Sequence, residues 1–293
     1  MTDGVVVLDK PGGITSFQAV RAVGKILRER KCGHAGTLDP MATGILPICA
    51  GRATKIAGYL TAREKEYEVF LRFGTATDTG DATGKPVEER PGAYAEETAV
   101  TAAVGRLVGT FEQVPPAHSA VKVGGVRSYV LARRGKAVDL SARPVTISSA
   151  RLLSWSPEGF ALSVRCSKGF YVRALPRDMR GLLGVPMTVA ALRRVRCGPF
   201  GVEEAVTLEG LAEAVCKGEG DRWILPIERA LSDYPQVAVP EAAVAAVRQG
   251  RSPAPWLSGA APGAVVLLTN DRLGAVALVE RDARGEWRIR RGI

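Results

Sequence analysis

Asp39 is the residue whose type and surroundings best fit a reactive group. It stands between Leu38 and Pro40 in a run of small residues, Gly33–Pro40, which gives a bulky substrate close access to the backbone. A carboxylate in such a loop can act as a nucleophile. An Asp-Pro pair is also a common opening of a turn, with its carboxylate bonded to local amides. The spacing alone leaves both interpretations open.

Other catalytic and ligand-binding patterns are incomplete in this sequence. The segment Gly80–Lys85 has too few residues between its glycines for a phosphate-binding loop, and it runs into Pro86. Asp78 and Asp81 lack the alternating spacing of a calcium loop, and no Gly-x-Ser-x-Gly motif occurs. Five scattered cysteines and two histidines fit no zinc template. The sequence therefore gives no support to nucleotide hydrolysis, metal catalysis or acyl-enzyme chemistry.

Basic residues are concentrated in one part of the chain. The sequence has 40 Lys and Arg against 30 Asp and Glu, a net charge of +10, and arginine outnumbers lysine by 30 to 10. Residues 165–200 hold eight basic side chains and one acidic one, whereas residues 201–233 hold three basic and eight acidic ones. The planar arginine side chain suits phosphate oxygens and stacks on bases. This asymmetry favours an anionic polymer as partner, with a solvated basic face as the alternative.

The length and composition are typical of a globular protein. The chain has 293 residues, of which 46% are hydrophobic and 24% charged. No window approaches 18 consecutive apolar residues, and residues 1–10 lack the features of a signal peptide. The scattered spacing of the cysteines predicts reduced thiols that pack in the same way as small hydrophobic residues. We therefore expect a cytoplasmic protein that neither crosses nor binds a membrane.

Hydrophobic periodicity predicts a mixture of strands and helices. Val5–Leu8 is strand-like, and a capping box of Thr15 and Gln18 begins a helix that continues to about Arg30. The sequence further predicts strands at Lys65–Phe73, Val121–Val123, Val145–Ser154, Ala161–Cys166 and Phe170–Val172, and helices at Ala95–Val108, Arg127–Arg134, Leu175–Leu183 and Val189–Arg194. Clustered strands indicate an α+β fold on a mixed, mostly antiparallel sheet.

The last part of the chain is predicted to form a separate β-rich domain. Strand-sized runs at Val265–Thr269, Ala275–Glu280 and Trp287–Arg290 are separated by turns, as in a small barrel or sandwich. We therefore predict a catalytic domain at 1–232 and a small domain at 233–293.

The stretch Gly33–Gly51 (GHAGTLDPMATGILPICAG) resembles the catalytic motif of the TruB family of tRNA pseudouridine synthases. Its Ala42–Pro47 part is more similar to the stand-alone bacterial enzymes than to the guide-RNA-dependent archaeal and eukaryotic relatives. Further blocks resemble the family in the same order: Gly4–Ser16, Lys65–Tyr67, Gln113–Pro116, Ser119–Lys122, Cys166–Arg173 and Leu192–Arg194.

The resemblance implies a catalytic domain of the pseudouridine synthase type and an activity on tRNA. The family enzyme extrudes uridine 55 from the T loop, detaches uracil from its ribose, rotates the ring and rejoins it through carbon 5, with no cofactor and no metal. Asp39 matches the essential carboxylate, ionised at neutral pH. The order of the bond-making steps stays open.

The resemblance also assigns roles to residues whose types alone indicate only packing or surface charge. Arg173 matches the arginine that pairs with the catalytic carboxylate, and a strand at Phe170–Val172 would place Tyr171 and Arg173 on one face. Tyr67 matches the aromatic residue that stacks on the flipped base, while Tyr171 and Leu192 match residues that enclose it.

Several further positions match family residues that contact RNA. His34 corresponds to the histidine at the place the base has left, and Lys10 to a lysine that either touches RNA or stabilises the motif loop. Arg193, Arg194 and Arg196 are expected to contact phosphates. The carboxy-terminal segment resembles a PUA-type RNA-binding module. Two positions depart from the family pattern, His118 and Thr188.

We therefore expect a monomeric tRNA pseudouridine synthase that binds the T arm of tRNA and requires no protein partner. A non-catalytic tRNA-binding or tRNA-folding protein of the same fold is the first alternative. The second is a small-molecule enzyme whose basic surface is incidental.

Overall fold

The computed structural model describes residues 2–117, 119, 121–123, 125–128, 131, 140–257 and 261–293. Two compact units divide the chain. The first comprises Met1–Pro40, Gly44–Ala62 and Arg196–Ile293, and the second comprises Met41–Thr43 and Arg63–Val195.

Seventeen strands occur among the described residues. They are β1 (Gly4–Lys10), β2 (Cys32–His34), β3 (Thr43–Ala50), β4 (Lys65–Phe73), β5 (Thr75–Thr77), β6 (Pro86–Glu89), β7 (Gly109–Gln113), β8 (Lys122–Val123), β9 (Val126–Arg127), β10 (Arg143–Ser156), β11 (Gly159–Cys166), β12 (Met187–Cys197), β13 (Phe200–Gly201), β14 (Gln236–Ala238), β15 (Val265–Asn270), β16 (Gly274–Arg281) and β17 (Trp287–Gly292).

Seven α-helices occur in the same described part of the chain. They are α1 (Ser16–Ile26), α2 (Ala57–Thr61), α3 (Glu97–Gly105), α4 (Leu175–Leu183), α5 (Leu208–Cys216), α6 (Ile227–Ala230) and α7 (Glu241–Arg248). Short 3-10 helices lie at Gly51–Ile56, Val172–Ala174, Val202–Glu204, Gly220–Trp223 and Ala254–Trp256.

The first unit is built on paired strands at the amino end. Strand β3 pairs antiparallel with β1 along its whole length and also with β2. Val5, Val7 and Ile45 from these strands lie in a hydrophobic cluster that also contains Leu267 and Leu278. Apolar burial of this kind fixes the strands on either side of the motif loop.

Helix α1 has the predicted start but an earlier end. The Thr15 hydroxyl accepts the Gln18 N–H, and the Gln18 side chain accepts the Thr15 N–H, which completes the predicted capping box. The helix ends at Ile26 rather than near Arg30, because Arg28 adopts a left-handed conformation with φ +53°. Phe17, in the first turn of the helix, is 67% exposed.

The second unit contains a sheet in the order β12-β4-β11-β10-β7. Strands β4, β11, β10 and β7 are joined by antiparallel pairs. Burial along β4 alternates strictly, as its sequence predicts. These pairings, with helices α3 and α4 in the same unit, confirm the predicted α+β class and the mostly antiparallel sheet.

Two predicted elements of this unit are wrong. Val189–Arg194 is part of strand β12 and not a helix. Arg194 is 1% exposed and occupies an inward-facing position of the strand. Because arginine is polar, the sequence does not show this position as part of an alternating strand pattern. Phe170–Val172 is not a strand: after an extended Tyr171 the chain enters the 3-10 helix Val172–Ala174, which continues directly into α4. Tyr171 and Arg173 therefore do not share a strand face.

The carboxy-terminal strands confirm the predicted β-rich segment. Strands β15, β16 and β17 form an antiparallel meander, and β14 pairs parallel with β15. Helix α7 packs on this sheet around a hydrophobic cluster that includes Val244, Val266 and Trp287. The boundary between residues 232 and 233 and the likeness to a PUA module remain predictions.

Two predictions fall largely or wholly on residues outside the described part of the chain. The helix predicted at Arg127–Arg134 is described only at its amino end and at residue 131, and His118 is not described.

Candidate active site

Asp39 lies in the predicted loop, five residues after the end of strand β2. Its side chain is half-buried, between the buried Leu38 and the exposed Pro40. Gly36, three residues earlier, has a φ of +97°, a conformation that favours glycine and turns the chain from β2 into the loop. The carboxylate therefore stands in irregular structure at the end of a strand.

The hydroxyl of Ser16 holds the loop immediately before Asp39. The Leu38 N–H donates to Ser16 Oγ at 2.8 Å, and Ser16 Oγ donates to the Leu38 carbonyl oxygen at 2.9 Å. On the other side of Asp39, the Gly13 N–H donates to the Pro40 carbonyl oxygen at 2.8 Å. Both neighbours of Asp39 are thus tied to the segment that begins α1, and its backbone is fixed before a substrate arrives. Sequence reasoning missed Ser16.

Lys10 holds this loop through hydrogen bonds to backbone carbonyl oxygens. Its side chain is 0% exposed, and Nζ donates to the carbonyl oxygens of Pro11 at 2.8 Å, Ile14 at 2.9 Å and Pro40 at 3.4 Å. A buried ammonium needs such acceptors. Of the two roles left open for Lys10, this geometry supports stabilisation of the loop; its contact with RNA stays a prediction.

His34 occupies the end of strand β2, paired with Ile48 of β3. Its side chain is half-buried, five residues before Asp39. The strand pairing fixes the backbone of His34 in the same unit as Asp39.

Arg173 lies in the second unit, in the short 3-10 helix before α4, and is 8% exposed. Its Nη1 donates to the Thr79 carbonyl oxygen at 3.1 Å, and its Nε lies 3.5 Å from Oδ2 of Asp81. The buried guanidinium is therefore oriented by the loop between β5 and β6.

Asp81 is itself fixed by the loop that carries it. Its Oδ1 accepts the Thr79 hydroxyl at 2.9 Å, the Thr83 N–H at 3.0 Å and the Thr83 hydroxyl at 2.5 Å. Gly80 has a φ of +76°, and a Cβ there would lie 2.2 Å from the Arg173 carbonyl oxygen, so only glycine permits this approach. The threonine two residues after Asp81 is typical of such a turn in a sequence. Arg173, the ionic partner of Asp81, lies 92 positions away in the chain.

Tyr67 and Leu192 lie on neighbouring strands of the second unit, β4 and β12. Both side chains are buried, Tyr67 at 8% and Leu192 at 6% exposure. Their roles in stacking on the base and enclosing it stay predictions.

Tyr171 is half-buried, and its backbone is held by Gln113. Like Ser16, Gln113 was given no role in the sequence analysis. The Tyr171 N–H donates to Gln113 Oε1 at 2.9 Å, and Gln113 Nε2 donates to Asp178 Oδ2 at 2.8 Å. Gln113 is buried. It connects strand β7 to the segment that contains Tyr171.

The three arginines predicted to contact phosphate differ in exposure. Arg193 is half-buried and Arg196 is exposed, so both are accessible to a ligand. Arg194 is 1% exposed, which corrects the expectation of a phosphate contact for this residue.

Across the described residues, no cluster of three or more histidine, cysteine, aspartate or glutamate side chains is arranged to hold a metal ion. The helices of this same part of the chain include none that is long and apolar enough to cross a membrane.

Comparison with known proteins gives matches along nearly the whole chain. The family model "TruB family pseudouridylate synthase (N terminal domain)" matches residues 24–172, and "tRNA pseudouridylate synthase B C-terminal domain" matches residues 173–232. The chain is 40% identical to a tRNA pseudouridine synthase B of Chromohalobacter salexigens over 95% of this chain and 91% of that protein. It is 47% identical to one of Thermobifida fusca over 72% and 75% of the two chains.

The fold also matches a solved structure. A chain from a Cbf5-Nop10-Gar1 complex superposes with a TM-score of 0.77 and 27% identity, covering 96% of this chain and 79% of that chain. The motif blocks, the fold and these matches agree. The chain belongs to the TruB family of pseudouridylate synthases.

Proposed function

We propose that this protein isomerises uridine 55 in the T loop of tRNA to pseudouridine. Its family membership and the relatives named tRNA pseudouridine synthase B, 40–47% identical, support this activity. The observation that carries the proposal is the Asp39 loop. A half-buried carboxylate lies in a segment whose backbone is fixed on both sides, in the motif that resembles the family's catalytic motif.

The reaction conserves all atoms of the nucleoside. The glycosidic C–N bond breaks, the uracil ring rotates, a C–C bond forms between the ribose and carbon 5, and the proton lost from carbon 5 is balanced by one gained at N1. Asp39 acts as the catalytic carboxylate. Its orientation is set by the hydrogen bonds that hold Leu38 and Pro40 on either side of it.

The base is received by the residues to which the resemblance assigns that role. The target uridine must leave its stack, at a cost of about a few kcal/mol. Tyr67 stacks on the extruded ring, and Tyr171 and Leu192 enclose it. Arg173 is the ionic partner that the resemblance assigns to Asp39, and its own orientation by Asp81 and Thr79 supports a fixed role.

The remaining RNA contacts come from polar side chains with exposed surface. His34 contacts the T loop where the base has left, and Arg193 and Arg196 contact phosphates and thereby position the tRNA. The protein acts as a cytoplasmic monomer on the T arm, without an obligatory protein partner.

Mapping pseudouridine in an unmodified tRNA transcript tests this function. After incubation with the purified protein, carbodiimide treatment and reverse transcription should give one new stop, assigned to position 55. A transcript with cytidine in place of uridine 55 is the matched control and should give none. A transcript that is bound but not modified would instead support the non-catalytic tRNA-binding alternative.

A salt titration of tRNA binding addresses the second alternative. Phosphate contacts make affinity fall steeply with salt concentration. A flat dependence would support a small-molecule enzyme with an incidental basic surface.

A further inference from the structure

The outward face of helix α1 presents an aromatic side chain followed by a row of cations. Phe17, Arg21, Lys25 and Arg28 follow one another at intervals of four, four and three residues, which places them along one side of the helix and its carboxy-terminal turn. Phe17 is 67% exposed, and the three basic residues are also exposed. The opposite face, with Ala19 and Val23, is buried. An exposed phenylalanine within an amphipathic helix is not explained by packing.

The cations on this face lack carboxylate partners among the described residues. Arg21, Lys25, Arg28 and Arg30 form no ion pair there. The one acidic residue of the stretch, Glu29, accepts the backbone N–H of Lys31 at 2.9 Å and that of Thr2 at 3.4 Å. The positive charge of this surface is therefore available to an external anion.

These side chains border a groove of about 660 Å³. Val20, Gly24 and Cys32 also line it, as does Glu29, whose carboxylate accepts backbone N–H groups. A Cβ on Gly24 would lie 2.8 Å from the Glu29 carbonyl oxygen, so glycine lets the chain return closely over the helix and shape the groove.

Arg28 stands at the edge of the groove in a conformation that favours glycine. Its φ of +53° is the one positive value for a non-glycine residue in the described chain. Helices commonly end on a glycine at this position, so an arginine there adopts a backbone conformation that its side chain disfavours. This observation is independent of the charge pattern and points to a use for the side chain.

We propose that the α1 groove binds the substrate RNA outside the catalytic site, with phosphates on Arg21, Lys25, Arg28 and Arg30 and an unpaired base stacked on Phe17. An aromatic platform beside a basic groove is the usual design for binding an unpaired nucleic-acid strand. Phe17 directly follows Ser16, which holds the Asp39 loop, and the groove and that loop belong to the same unit. The proposal deepens the proposed function and rests on it for the identity of the RNA.

Charge removal tests the phosphate contacts. Affinity for an unmodified tRNA transcript is measured between low and moderate salt for the full-length wild-type protein and for the double variant Arg21→Gln, Lys25→Gln. We expect weaker binding and a slope of log affinity against log salt that is less steep by about 1.5, since each phosphate contact contributes about 0.7–0.9. The matched control, Lys217→Gln with Arg222→Gln, removes two cations that already pair with glutamates and should keep the wild-type slope. An unchanged slope in the first variant would overturn the proposal.

Phe17 tests the stacked base. Phe17→Ala should weaken tRNA affinity roughly 5- to 100-fold, as for a lost base–aromatic stack, while Phe17→Trp should keep it. Because the side chain is exposed, both variants should keep the wild-type melting temperature. Equal affinity of the alanine and tryptophan variants would contradict the stacking.

Arg28→Gly separates binding from a structural role. Glycine relieves the positive φ, so the melting temperature should stay the same or rise, while tRNA affinity should fall. A rise in stability with unchanged affinity would overturn the role of Arg28.

These readings are independent of catalysis, because they measure binding. If the wild-type protein bound tRNA through the groove but made no pseudouridine, the proposed function would fail and the groove would stand. If the groove variants instead changed the oligomeric mass of the protein, or its binding to an acidic peptide but not to tRNA, the RNA assignment would be wrong.

Discussion

Arg173 Nε lies 3.5 Å from Oδ2 of Asp81, and both side chains are buried. Asp81 lies in the loop between β5 and β6, whose sequence has incomplete patterns of a calcium loop and a phosphate-binding loop. The hydroxyls of Thr79 and Thr83 donate hydrogen bonds to Oδ1 of Asp81, and Oδ2 faces the guanidinium of Arg173. The loop therefore orients the arginine to which the family resemblance assigns an ionic role.

Asp81→Asn should lower kcat roughly 10- to 100-fold with a smaller effect on KM, because it loosens the orientation of Arg173 without removing an RNA contact. It should also lower the free energy of unfolding by about 3 kcal/mol, because it leaves a buried guanidinium without this carboxylate. Single-turnover kinetics and denaturant unfolding measure the two effects. Asp78→Asn, an exposed position in the same loop, is the control and should keep kcat. A wild-type kcat in Asp81→Asn would refute the positioning role.

Ser16→Ala should reduce activity per folded molecule, because Leu38 loses two hydrogen bonds that fix the Asp39 loop. The unpaired Leu38 groups should cost about 1–3 kcal/mol. Thr15→Ala removes only the helix cap, at a cost of about 1 kcal/mol, and should keep the activity of the folded fraction. Comparison of kcat for the two variants at a temperature where both are folded distinguishes these effects. Equal kcat values would contradict the role of Ser16.

The five cysteines should differ strongly in reactivity. Burial raises the pKa of Cys49 to about 12 and that of Cys166 to about 12, so neither is a thiolate near pH 8. Cys216 is exposed. In the native protein a thiol reagent at pH 8 should modify Cys216 first and should reach Cys49 and Cys166 only after unfolding. Cys216→Ser should remove the fast phase, and rapid modification of Cys49 in the folded protein would contradict its burial.

Asp3 should give a small, pH-dependent contribution to stability. Burial raises its pKa, but this is outweighed by the hydrogen bonds from the Arg52 backbone N–H at 2.6 Å and side chain at 2.7 Å, so the pKa is lowered overall. A lowered folded-state pKa stabilises the protein above the ordinary aspartate pKa of about 3.9, and that stability is lost as pH falls through the folded value.

Asp3→Asn should therefore lower the free energy of unfolding by no more than about 1 kcal/mol at pH 7, since the pair is partly exposed. The difference from wild type should begin to shrink below about pH 4 and should disappear once the pH is below the lowered pKa of Asp3. Denaturant unfolding at pH 7, 5 and 3 measures it. A difference that grew on acidification would have the wrong sign.

Local patterns predicted much of the fold. Strand β4 and helix α4 have the predicted bounds, and the α1 capping box is present. These elements are determined by periodicity and by residues within one turn of each other. Strand β12 was missed because Arg194 is buried by its surroundings, which a local pattern does not contain.

The candidate site was predicted only in part, for the same reason. The motif identified Asp39, but the residues that orient the site act over long separations in sequence. Ser16 lies 22 positions from Leu38, Asp81 lies 92 positions from Arg173, and Gln113 lies 58 positions from Tyr171. Each is a common polar residue whose role depends on the partner that the fold provides. Lys10 belongs to a motif block, but its complete burial depends on the surrounding fold and could not be predicted from the sequence.

Asp39→Asn tests the central claim most directly. The purified variant and the wild-type protein are compared for tRNA affinity and for single-turnover pseudouridine formation at position 55. The variant keeps the size and loop position of the side chain but removes its negative charge, so it should bind tRNA as the wild type does while its rate falls roughly 10²- to 10⁴-fold or more. Pseudouridine formation by the variant at the wild-type rate would contradict the account.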